Sequence, residues 1–233
     1  MNTHQFLLAG DSWAWKAYTD HNYNNSQLLP TDQRFADFWN IDYQTCITPG
    51  LGNLDILSRI SAMKIPINHP IVWVYTEPGR DYAAITGRPP FEWMVSENIF
   101  HIRANLHTEI LQRIKQALPN PIALIGGLSD IDQTLAQDLG FYVLHSSWQR
   151  YISEKLDSQW FQLGWGASDI GWRMHADNVT PGRTATFAWD EQIKEWCWWE
   201  DQGWFCHEHP NVKAHREFAE FLEPSMKQWL HSL

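Results

Sequence analysis

Basic charge is scarce in this chain. Across 233 residues there are 17 Lys and Arg against 27 Asp and Glu, a formal charge of -10. That balance argues against a nucleic-acid binder, which needs clustered cations to neutralise phosphates. Long apolar runs are missing too, so no segment has the roughly 18 consecutive apolar residues of a membrane span. No basic segment precedes the short apolar run near the N-terminus, and the expectation is a chain without a secretory leader. Cysteine is sparse and odd in number: Cys46, Cys197 and Cys206. Three thiols in a chain this long do not make a disulfide framework, and a reducing compartment is the simpler reading. The two glycosylation sequons, at Asn24 and Asn178, are then chance matches.

What remains is ordinary globular material with one excess. Hydrophobic residues are 44% and charged residues 19%, enough apolar surface for a sizeable core. Tryptophan occurs 15 times and concentrates late, in "WFQLGWGASDIGW" and "WDEQIKEWCWWEDQGWF". An indole packs a dense core as readily as it stacks on a sugar, so these stretches fit either packing or a glycan surface.

Short apolar runs alternate with helical periodicity. Phe6–Ala9, "NIDYQTCIT", "IVWVYT", "PIALIGG" and "FYVLHSS" read as five strands. Between them, "NLDILSRISAMKI" carries Leu54, Ile56, Leu57, Ile60 and Met63 near helical spacing. A longer helix from about Trp93 to Leu118 has its apolar stripe at Ile99, Ile102, Leu106, Ile110, Ile114 and Leu118. "TEPGRDYAAITGRPP" reads as loop, because Gly and Pro punctuate it throughout. "SDIDQTLAQDLG" reads as a helix capped by Ser129 or Asp130 and stopped at Gly140. The last helix, in "PNVKAHREFAEFLEPSMKQWL", has Val212, Phe218, Phe221 and Leu222 on its apolar side, and His215 reads as a surface or packing residue.

Strands separated by helices imply right-handed crossovers and a parallel sheet covered on both faces. The expectation is one domain over residues 1–233, a three-layer α/β/α fold with a flavodoxin-like five-stranded parallel sheet. An irregular Trp-rich insertion at about 148–205 interrupts it. Ligands of such sheets bind beyond the carboxyl ends of the strands. Ser12, "PGLGN" and "TEPGR" all follow strands and should gather at that edge.

A serine there is a turn residue unless a base takes its proton and donors wait for the oxyanion. Gly52 permits close backbone approach, and Asn53 either donates through its amide or only caps the following helix. His209 precedes Pro210 and Asn211 at the start of the last helix, where an imidazole can project into a cleft.

"LLAGDSW", "PGLGN" and "HPNVKAHREFAEFL", in that order and spacing, resemble the SGNH, or GDSL-type, hydrolases over nearly the whole chain. The resemblance implies an esterase acting on a small acyl ester, such as an O-acetyl group on a carbohydrate, without a cofactor. It implies Ser12 as nucleophile and His209 as base, with the N–H groups of Ser12 and Gly52 in the oxyanion hole. Two departures stand out. The third block, Gly-x-Asn-Asp in that family, is "VYTEPGRDY" here, with Asn53, Thr76 or Arg80 as candidate replacements for its donor. The aspartate three residues before the histidine is Cys206, with Glu208, Asp201 or a backbone carbonyl as candidate support for His209. The rival expectation is a non-catalytic module of the same fold, with a glycan or partner surface. Either way the expected location is cytoplasmic or virion-associated. Zinc held by Cys197, Cys206, His207 and His209 is disfavoured, because Cys-x8-Cys-His-x-His matches no common finger spacing.

Overall fold

Five short strands line up in parallel, the three central ones apolar and buried at every position and the two edge strands only partly buried. In the computed structural model, β1 (Phe6–Gly10), β2 (Tyr43–Ile47), β3 (Ile71–Tyr75), β4 (Ile122–Gly126) and β5 (Tyr142–His145) form one sheet in the order β2-β1-β3-β4-β5. This is the flavodoxin-like order, in a three-layer α/β/α arrangement. The structure describes residues 5–11, 14, 33–89, 99–127, 130–148, 151 and 212–233, with backbone alone at 99–100, 187–190, 195–198, 205–206 and 209–210.

Alternation along the strands divides the core in two. Phe6 and Leu8, Val72 and Val74, Ala123 and Ile125 face one layer. That layer holds a 3-10 helix at Phe35–Trp39 and the C-terminal helix, with Trp148 and Tyr151 between them. Leu7 and Ala9, Ile71 and Trp73, Ile122 and Leu124 face the other. There lie α1 (Asn53–Ala62), α2 (Tyr82–Thr86), α3 (Ile99–Ala117) and α4 (Gln133–Asp138). The C-terminal helix, α5, runs Val212–His231. It is tied across the first layer by the Trp39 indole, which donates to the Ala219 carbonyl at 2.9 Å.

Several local expectations change. The stretch after β3 is not plain loop: Pro78–Asp81 forms a 3-10 turn that runs into α2. Proline at its start fixes φ where no N–H is needed, which is why a Pro-Gly signal opened a helix. The cap of α4 is Asp132, whose carboxylate accepts from Leu135 N at 3.0 Å, and not Ser129 or Asp130. Gly140 does end that segment, at φ +79. On α5, Phe218 and Leu222 are buried as expected, but Phe221 is 48% exposed. Buried His215 takes a core place instead, edge-on to Trp148 at 4.7 Å. Within the Trp-rich stretch the described backbone includes an antiparallel pair, Phe187–Asp190 (β6) with Glu195–Trp198 (β7).

Candidate active site at the strand ends

The sheet reverses its strand order between β1 and β3, and the carboxyl ends of those strands flank the crevice where such folds take ligands. Gly10 closes β1 at φ +155, and a Cβ there would meet Val74 Cβ at 2.9 Å and Ala14 Cβ at 2.8 Å. Glycine is required by this close approach. The next residue, Asp11, is 2% exposed and accepts from Thr76 Oγ1 at 2.6 Å. Arg80 stands 3.9 Å from the same carboxylate, its side chain 30% exposed. The ends of β1 and β3 are thus joined through Asp11 and Thr76, with one guanidinium at the rim.

The N-terminus of α1 is held against this junction by a carboxylate from the 3-10 turn. Asp81 accepts from Asn53 N at 2.9 Å, Leu54 N at 2.9 Å and Asn53 Nδ2 at 3.2 Å. A helix start leaves its first N–H groups without partners, and Asp81 supplies from 28 positions away what a local cap normally gives. Burial pushes the Asp81 carboxyl above its ordinary range, against the lowering by those three hydrogen bonds. The Gly52 N–H is not among the groups Asp81 takes.

Asn53 is fully engaged. Its Nδ2 donates to the Thr76 carbonyl at 3.1 Å and to Asp81, while its Oδ1 accepts from Thr76 N at 3.1 Å and Trp73 Nε1 at 3.3 Å. Both amide hydrogens and both lone-pair sites are used, so the side chain fastens α1 to the end of β3. The Thr76 hydroxyl proton is committed to Asp11. Of the three side chains considered for the third-block donor, Arg80 is the one that keeps exposure at the rim.

Gly52 has no room for a side chain, because a Cβ would overlap Asp81 Oδ1 and lie 2.9 Å from Cγ. Gly52→Ala is expected to lose about 2 kcal/mol of stability by displacing Asp81 from α1, measured by urea unfolding. Alanine at Gly50, where nothing lies within 4 Å of a Cβ but φ is +81, provides the contrast of backbone strain without steric overlap.

Ser12 lies outside the described residues, as do Glu208 and Asp201. The backbone of His209 is described: His209–Pro210 (β9) pairs antiparallel with Phe205–Cys206 (β8), and Cys206 and His209 are register partners. Cys206 is therefore held beside His209 in a short ladder ahead of α5. Asp81 is the site residue that sequence reading missed. Its signal was an acidic residue soon after a strand, and nothing local linked it to a helix start 28 positions earlier. Comparison of the chain with family models, curated proteins and solved structures gives no match.

Proposed function

We propose that the chain is a serine esterase of the SGNH type, hydrolysing a small acyl ester such as an O-acetyl group on a carbohydrate. The observation that carries this reading is the junction of Asp11, Thr76 and Asn53. It fixes the residue preceding Ser12, the end of β3 and the start of α1 at one point of the sheet edge. Gly52, the backbone donor of this reading, adjoins that point, and Ser12 follows Asp11 directly in the chain.

In this reading the Ser12 hydroxyl attacks the acyl carbonyl carbon while its proton passes to the His209 imidazole. Charge builds on the carbonyl oxygen and is met by the N–H groups of Ser12 and Gly52. The imidazolium returns its proton to the departing alcohol as the C–O bond breaks. Water, deprotonated by the same imidazole, then releases the acid and restores the serine. Arg80 adds a cation at the rim of the cleft.

Labelling by an alkyl fluorophosphonate tests the proposal. Wild type should react and hydrolyse p-nitrophenyl acetate, while Ser12→Ala should neither label nor retain more than about 1/1000 of the rate. Wild type that resists the reagent and turns over no acyl ester overturns it. The rival reading, a non-catalytic glycan- or partner-binding module, draws on the saturated Asn53 amide and the committed Thr76 hydroxyl, which leave the third-block donor unreplaced by either. Glycan binding that survives Ser12→Ala and His209→Ala, without turnover, would favour it.

A further inference from the structure

The Thr76 hydroxyl is not needed to hold the end of β3. Both polar groups of the Thr76 backbone are already taken by the Asn53 amide. The N–H donates to Asn53 Oδ1 at 3.1 Å, and the carbonyl accepts from Asn53 Nδ2 at 3.1 Å. The hydroxyl reaches instead across the sheet edge, donating to Asp11 Oδ2 at 2.6 Å over 65 positions of sequence. Both side chains are buried, and the length is that of a hydroxyl bonded to a carboxylate.

Asp11 in turn anchors the chain beside positions 12 and 13. Its carbonyl accepts from Ala14 N at 3.1 Å, and Ala14 is fully buried. On its other side, Gly10 lies so close to Val74 that no side chain fits. The carboxylate is the third point of attachment, and its Oδ2 is contested. Arg80 Nη1 stands 3.9 Å from that same oxygen, beyond hydrogen-bond reach but near enough to attract it. Without the Thr76 proton, the carboxylate turns toward the guanidinium, and the Asp11 peptide turns with it.

We infer that Thr76 is a positioning residue: through Asp11, its hydroxyl sets the direction in which Ser12 is presented to the ester. This rests on the reading of Ser12 as nucleophile. Attack is sensitive to that direction because the reacting atoms must be aligned at about 3–3.5 Å, and a displacement of about 1 Å can cost a hundredfold in rate.

The test compares Thr76→Val, which keeps the branched shape and removes the donor, with Thr76→Ser, which keeps the donor. The measurements are the labelling rate with an alkyl fluorophosphonate and kcat/KM for p-nitrophenyl acetate, below the unfolding transition of every variant. Thr76→Val should lower both roughly tenfold or more, and Thr76→Ser should hold both within about threefold of wild type. Asp132→Ala, which removes the hydrogen bond capping α4, should change neither rate and controls for a loss of stability alone. If the valine variant does not fold, Thr76→Cys replaces it, and its weak thiol donor should lower both rates at least threefold. Undiminished rates in the folded variant, or a serine variant as slow as valine, overturn the inference while wild-type labelling keeps the Ser12 reading. A wild type that neither labels nor turns over overturns both.

Discussion

Asp81→Ala should lower the unfolding free energy by about 3 kcal/mol in urea denaturation, with α1 loosened at its start. Three donors lose their acceptor at once: Asn53 N, Leu54 N and Asn53 Nδ2. Leaving a buried donor unpaired costs about 1–3 kcal/mol, while relief of the buried carboxylate's own desolvation offsets part of the sum. Asp81→Asn keeps one acceptor oxygen and should lose about half as much. Because Asn53 bonds directly to Asp81, Asn53→Ala combined with Asp81→Ala should be non-additive by about 1 kcal/mol or more. Hydrogen exchange at Asn53 and Leu54 should quicken in either single variant. An Asp81→Ala protein within about 0.5 kcal/mol of wild type would refute the tertiary cap.

Acid should unfold this protein in part through His107, and His107→Phe should remove that part. The folded imidazole titrates at about 3, against an ordinary histidine value of 6.5. Between those values the unfolded chain binds a proton that the folded chain refuses. Stability therefore falls as pH drops through the window, with a slope approaching about 1.4 kcal/mol per pH unit, and levels off below the folded value. Asp81 acts with the opposite sign, since burial raises its folded pKa and its protonation on acidification favours the folded state. Comparing wild type with His107→Phe cancels that contribution. Arg103, Asp130, Asp132 and Tyr75 surround the ring and are common to both proteins. Phenylalanine keeps the stack on Tyr75 and removes two buried polar atoms, so the variant should match or exceed wild type at pH 7. Parallel pH dependences in the two proteins would show that His107 is not the titrating group.

These two positions mark where the sequence stopped being legible. Strands and long helices were readable because burial imposes a period: Phe6–Gly10 and Ile71–Tyr75 are apolar at every position, and Leu106, Ile110 and Ile114 recur at helical spacing. The candidate site was readable only as strand ends with suggestive residues. Asn53 carried two readings there, donor to a ligand or start of a helix. The geometry spends its whole side chain on Thr76, Asp81 and Trp73, partners 20 to 28 positions away.

Local chemistry misled in the short pieces. Pro78 and Gly79 suggested loop and delivered a 3-10 turn, because proline at the first helical position has no N–H to satisfy. Asp132 outcompeted Asp130 as the cap of α4 by a register difference of two residues, which turn propensity does not resolve. His215 was left open between surface and packing, since a histidine on a helix face is buried only if rings such as Trp148 and Phe35 close around it.

Hydrophobic pattern and strand–helix alternation thus determined, from the sequence alone, a parallel sheet covered on both faces and the edge at which a site should lie. Tertiary structure decided which polar side chains face a cleft and which hold the fold together. Hydrogen-bond saturation depends on groups that meet only in space, so Asn53 and Asp81 became a clasp, while His107 became a buried ring stacked on Tyr75.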